Sequence, residues 1–277
     1  MKLTLGFSPC PNDTFIFEAM VHGRIDTEEL EFDYFLADVE DLNKRAFIGK
    51  TDITKMSCHA YAFAARDYLI LDSGSAIGYK NGPLLIGRRK INYQEIITAR
   101  IAIPGRYTTA NLLFSLAWPE ALNKTEYLFS DIADILIRDE ADAGLIIHET
   151  RFTYHEKGLI MLADMGKFWE ELTGSPIPLG LIAINRRIPP ATAAKVNRII
   201  KRSIEYALNY PAESYNFIKS NAREIKESVI ESHIKLYVND YSVSLGPEGR
   251  RAIEELLVRG RKTGVLPDLP GRIFLTS

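Results

Sequence analysis

The residues best suited to chemistry in this chain fall in four short segments. Ser8-Pro9-Cys10-Pro11-Asn12-Asp13-Thr14 follows the apolar run Leu3–Phe7. Lys55-Met56-Ser57-Cys58-His59 closes a second apolar run, and Pro104-Gly105-Arg106-Tyr107-Thr108-Thr109-Ala110 follows a third. The fourth is Gly144-Leu145-Ile146-Ile147-His148-Glu149. His148 is the expected general base. It stands at the end of an apolar run beside Glu149, and an imidazole exchanges its proton near neutral pH. A lone histidine is more often structural, so the expectation rests on that position. Thr108 and Thr109 open an apolar helical pattern, where backbone N–H groups favour a carboxylate or phosphate, and Arg106 adds positive charge nearby. The plainer reading is a threonine N-cap. Ser8, Cys10, Asn12 and Asp13 form a loop stiffened by two prolines, in which Asn, Asp or Thr can cap the following helix. Cys10 has no charged neighbour in sequence to lower its thiol pKa, so packing or ligand contact is expected before nucleophilic attack. His22 reads as a helix end, His155 and His233 as surface or core-satisfied, and His59 as a strand end. No HxH, HxxxH or CxxC spacing occurs, so no metal site is expected.

These segments need a scaffold that gathers them, and the chain repeats one. Strand, Pro-containing loop and helix occur at Leu3–Met20 and again at Arg100–Leu116. Helix, acidic turn and strand occur at Leu42–His59 and again at Ile132–Glu149. Short apolar runs followed by helical patterns mark parallel βα units. The expectation is two similar α/β lobes, residues 1–88 with 186–277 and residues 89–185. The crossings fall at the apolar stretches Gly82–Gly87 and Pro178–Asn185. The last third reads as helices over 191–209, 212–220, 228–239 and 247–263. In the first of these, Val196, Ile199, Ile200, Ile204, Ala207 and Leu208 form an apolar stripe. Ligands of parallel α/β sheets bind beyond the strands' carboxyl ends. All four segments should fall there and line one cleft between the lobes.

Composition narrows the classes. With 34 Lys+Arg against 36 Asp+Glu, the net charge of −2 argues against nucleic-acid binding through a global basic field. No GxxxxGK[ST] or GxGxxG occurs, so no standard phosphate loop grips a nucleotide. Two cysteines make no disulfide framework. No apolar run is long enough to span a membrane. The first strand breaks too soon into polar residues for a signal peptide, so a cytoplasmic protein is expected. Oligomeric state is left open.

The same four segments, together with Arg151-Phe152-Thr153-Tyr154, Pro178-Leu179-Gly180 and Tyr237-Val238-Asn239, closely resemble the 1,4-dihydroxy-6-naphthoate synthase family. The resemblance runs in order over essentially the whole chain. It implies a two-lobed, type 2 periplasmic-binding-protein-like α/β fold used as a cytoplasmic enzyme. It further implies a lyase of the futalosine route to menaquinone, converting cyclic dehypoxanthine futalosine to 1,4-dihydroxy-6-naphthoate and dihydroxyacetone. The substrate is a small-molecule carboxylate, and no cofactor or metal is implied. The family's catalytic histidine maps onto His148. Its substrate contacts map onto Lys55, Met56 and Ser57 and onto Thr109 and Ala110, with Thr108 adjoining. Ser8, Cys10, Asn12, Asp13, Arg106 and Glu149 are further cleft candidates. Two alternatives stand beside this reading. One is a non-enzymatic binding module of the same fold, which would call for an export signal or a DNA-binding helix-turn-helix. The other is chorismate dehydratase, an earlier step of the same route; the Ser8–Thr14 and Ile146–Glu149 motifs favour the synthase.

Overall fold

The computed structural model describes residues 1–222 and 226–276. The chain divides into two compact units, Met1–Gly78 with Pro178–Ser277, and Tyr79–Ile177. The strands are β1 (Lys2–Phe7), β2 (Glu31–Leu36), β3 (Ile53–Ser57), β4 (Tyr68–Ile70), β5 (Ala76–Gly78), β6 (Leu84–Gly87), β7 (Ile101–Ile103), β8 (Lys124–Glu126), β9 (Ala143–Ile146), β10 (Ile160–Asp164) and β11 (Ile177–Asn185). The boundaries expected from the sequence, after residues 88 and 185, lie ten and eight residues later than this division. The pairing explains the offset. β6 pairs with β9 and β10 in the second unit's sheet, and β11 pairs with β3 and β4 in the first.

The first unit's sheet runs β2-β1-β3-β11-β4, with β5 also on β11. β2, β1 and β3 are parallel, and β11 returns antiparallel to β3. Its core forms because β1 alternates. Leu3, Leu5 and Phe7 point one way and meet Val196, Ile199, Ile200 and Ile204 of helix Pro190–Asn209. That helix begins on Pro190, whose missing N–H costs nothing at a first-turn position. Its buried face follows the expected stripe except at Leu208, which is exposed; the face centres on Val196, Ile200 and Ala207, and Leu208 turns off it. Helices Pro211–Asn221, Glu227–Tyr237 and Gly246–Lys262 follow, close to the expected spans.

The second unit repeats the scheme. Its sheet runs β10-β6-β9-β7-β8, with β8, β7 and β9 parallel and β6 antiparallel to β9. Leu84, Ile86, Ala102, Ile132, Ile135, Leu136 and Ile146 form its core. Helix Ile132–Ile137 packs so closely on β9 that a Cβ on Gly144 would sit 2.5 Å from Ile132 Cγ2. Glycine there is a packing requirement.

Three local details differ from the sequence reading. β3 ends at Ser57, and Cys58 and His59 already belong to helix Cys58–Ala64. β9 ends at Ile146, so His148 lies in a turn beyond the strand. The first helix starts at Pro11 with Cys10 at its N-cap and no side-chain cap, so Asn12, Asp13 and Thr14 sit inside its first turn.

Candidate functional site

In the first unit, β1 and helix Pro11–Val21 create a buried polar network around Asp13. Its Oδ2 accepts from the Ser8 N–H at 3.2 Å and the Ser8 hydroxyl at 2.7 Å. Its Oδ1 accepts from Asn12 Nδ2 at 2.8 Å and from Lys55 Nζ at 2.7 Å. Asp13 and Lys55 are both nearly solvent-free. Four donors, one of them a neutralising cation, are what a buried carboxylate needs. Lys55 is therefore committed to Asp13 and adds no uncompensated charge. Asn12 Oδ1 lies 2.9 Å from His233 Nε2. Because the amide nitrogen of Asn12 donates to Asp13, that contact puts the His233 proton on Nε2. Cys10 is buried, and its carbonyl accepts from the N–H groups of Asp13 and Thr14.

Ser57 ends β3 and is held by helix Val39–Phe47. Its N–H donates to Asn43 Oδ1 at 2.9 Å, and Asn43 Nδ2 donates to Ser57 Oγ at 3.2 Å and to Glu40 Oε2 at 2.9 Å. Asp38 caps that helix by accepting from the Glu40 N–H. Met56 is fully buried, and its backbone pairs with Leu181 on β11. Burial pushes the Cys58 thiol well above its ordinary range, with Lys55 opposing weakly, so Cys58 is inert as a nucleophile.

In the second unit, Thr108 is the N-cap of helix Thr109–Ala117. Its hydroxyl donates to the Gly105 carbonyl at 2.8 Å and accepts from the Asn111 N–H at 3.3 Å. Asn111 Nδ2 donates to the Arg106 carbonyl at 2.7 Å, which ties the loop to the helix's first turn. The Thr108 hydroxyl thus serves the cap, while Thr109 and Ala110 are buried in the first turn, at the positive end of the helix dipole. Arg106 is exposed, with its guanidinium over the Tyr107 ring. Burial, then the charge of Arg106, pull Lys124 below its ordinary pKa.

His148 adopts φ +59°. A non-glycine residue in this left-handed region is uncommon and persists where the surroundings over-determine it. Its ring meets Phe129 edge to face at 4.6 Å, and its carbonyl accepts from the Arg151 N–H. Glu149 beside it is buried. The imidazole is thus half-buried on a constrained turn, against an aromatic ring.

Sequence reasoning missed Asn43 and did not connect His233 to the site. The signal was present. Asn43 lies on the buried face with Leu42 and Ala46, and His233 shares a stripe with Ile230 and Tyr237. A polar residue at a core position is the informative exception.

The family model described as menaquinone biosynthesis matches residues 3–262. A 1,4-dihydroxy-6-naphthoate synthase of Thermus thermophilus is 40% identical over 273 residues, covering 99% of each chain. The enzyme of that name from Streptomyces coelicolor is 36% identical over 273 residues, covering 96% of this chain and 95% of the relative. A solved structure of an Archaeoglobus fulgidus protein matches with TM-score 0.91 and 34% identity, over 96% of this chain and 98% of the other. A Candida albicans protein described as having the generic periplasmic binding protein fold matches with TM-score 0.72 and 14% identity, over 98% and 92%. That likeness is one of fold alone, and it bears out the expected α/β periplasmic-binding-protein-like architecture.

Proposed function

The chain belongs to the 1,4-dihydroxy-6-naphthoate synthase family of menaquinone biosynthesis, and from that premise we propose a lyase that converts cyclic dehypoxanthine futalosine to the dihydroxynaphthoate with release of dihydroxyacetone. Both curated relatives are synthases, so the non-enzymatic module and the dehydratase lose their ground. The observation that carries the chemical reading is His148. The motif histidine occupies a constrained left-handed turn just past β9.

In this reading His148 removes a proton beside a carbonyl, which prepares carbon–carbon cleavage; aromatisation makes the late steps downhill. A positioned base supplies about 10²–10⁴-fold. Thr109 and Ala110 receive the substrate carboxylate at the helix start. Lys55 suits that charge less well, because Asp13 already neutralises it. Lys55, Met56 and Ser57 then meet other parts of the substrate. Ser8, Asn12 and Asp13 hold Lys55 in place, and Asn43 holds Ser57. Cys10, Arg106 and Glu149 remain substrate-contact candidates. The chemistry is assigned to side chains alone, without cofactor or metal. No helix among the described residues is long and apolar enough to cross a membrane, and a small-molecule biosynthetic enzyme of this kind is assigned to the cytoplasm. Incubating the protein with cyclic dehypoxanthine futalosine should give dihydroxynaphthoate by mass spectrometry. Unchanged substrate at high enzyme concentration would overturn the reading.

A further inference from the structure

Lys80-Asn81-Gly82, in the second unit, is held unusually tightly for a connecting segment. Arg151 donates from Nη2 to the Lys80 carbonyl at 2.9 Å and from Nη1 to the Gly82 carbonyl. The same guanidinium pairs with Asp164 at 3.3 Å. Glu170 Oε1 accepts from the Lys80 N–H at 2.6 Å. Lys80 itself sits at φ +59°. Gly82 lies back to back with Gly166, where a Cβ would be 2.2 Å from the Gly166 nitrogen and 2.3 Å from its Cα.

What this clamp presents is Asn81. Its side chain is 0% exposed, and neither Oδ1 nor Nδ2 has a hydrogen-bond partner among the described residues. A buried carboxamide with both ends unsatisfied is costly, and folded proteins seldom keep one without a reason. A leucine of nearly the same shape would avoid the cost. Strain and polar mismatch retained at one rigid position are the pattern of a binding group held ready.

We propose that Asn81 is a substrate-binding residue whose amide takes a hydroxyl-bearing part of the ligand, rather than its carboxylate. An alcohol both donates and accepts, so it answers Oδ1 and Nδ2 together. A carboxylate could answer only Nδ2 and would face Oδ1 with like polarity. The assignment rests on the synthase reading and deepens it, by separating a hydroxyl subsite from the acid subsite at Thr109. Arg151 is then a positioning residue, acting through the carbonyls that flank Asn81. Because the amide is closed off from solvent, ligand reaches it through an opening motion, as in sites that sequester a reaction from water.

The test compares wild type, Asn81→Leu and Asn81→Asp in steady-state turnover of cyclic dehypoxanthine futalosine and in thermal unfolding without ligand. Asn81→Leu should unfold at or above the wild-type midpoint, because a buried mismatch is gone. Its kcat/KM should fall about 10- to 100-fold. Asn81→Asp, which loses the Nδ2 donor, should fall at least about tenfold. A purely structural asparagine, satisfied by internal water, would give the opposite signature: a lowered midpoint with wild-type kinetics in whichever variant folds. Wild-type kcat/KM in either folded variant overturns the assignment and leaves the synthase reading intact. Wild type that forms no product overturns both.

Discussion

At the scale of single residues, the backbone at His148 gives a test that separates chemistry from folding. The left-handed conformation costs a residue with a Cβ about 1–2 kcal/mol, whereas glycine is indifferent to it. His148→Ala keeps that cost, and His148→Gly removes it while adding about 0.5–1 kcal/mol of unfolded-chain entropy. Both variants should lose about 10²–10⁴-fold in turnover, yet in urea unfolding the glycine variant should be at least as stable as the alanine one. Wild-type-like turnover in either would remove His148 from the mechanism. Thr109→Val should raise KM about 10- to 100-fold, through loss of one hydrogen bond to a charged group. A ligand complex with the acid against Ser57, and only ring atoms at Thr109, would refute that placement. Asp13 stands differently. Removing it strands Lys55 with a buried, uncompensated charge, so Asp13→Ala should cost about 3–5 kcal/mol in denaturant unfolding. A loss under about 1 kcal/mol would show that Lys55 finds water or another partner.

At the scale of elements, each sheet carries its polar groups on the segments that leave its parallel strands. Ser8 follows β1, Ser57 ends β3, Thr108 follows β7 and His148 follows β9. The antiparallel return strands contribute by fit. Gly180 on β11 leaves room for the Lys55 side chain, whose Cε would lie 3.1 Å from an added Cβ. The Gly82–Gly166 contact gives a sharper prediction. In Gly82→Ala the new methyl meets backbone that cannot yield, so the cost should be about 3 kcal/mol or more. Gly174 provides the control. It ends helix Met165–Thr173 at φ +68° with nothing within 4 Å of an added Cβ, so Gly174→Ala should cost only about 1–2 kcal/mol. Equal losses in chemical denaturation would mean that the segment before β6 is looser than its packing indicates.

At the scale of the whole molecule, the two units differ in how the chain makes them. The second is continuous, and its sheet and core draw only on Tyr79–Ile177. The first is interrupted, because β11 from late in the chain pairs with both β3 and β4. A fragment of residues 79–177 should therefore fold alone, with a cooperative urea transition and an α/β circular dichroism spectrum. A fragment of residues 1–78 lacks β11, exposes β3 as an unpaired edge and should aggregate. A non-cooperative 79–177 fragment would show that its core needs the rest of the chain.

The sequence by itself determined the local scheme. Period-two alternation in Leu3–Phe7, the stripe of helix Pro190–Asn209 and the two repeated βα patterns are short-range consequences of side-chain chemistry, and the long motifs are specific enough to indicate the family. Tertiary structure decided the rest. Whether Lys55 is a free cation or half of a buried pair depends on Asp13, 42 positions away. Whether Asn43 is a surface amide or the clamp on Ser57 depends on which face of its helix is covered. His148 reads as a strand end because an apolar run shows β propensity but not where the ladder stops: β6 pairs with β9 only as far as Ile146, and β7 only as far as Gly144. Asn81-Gly82 is legible as a turn signal. That its amide is buried with both ends unanswered emerges only in the folded chain, where Arg151, Glu170 and Gly166 hold the residues on either side of it, because burial is a property of contacts made across the chain.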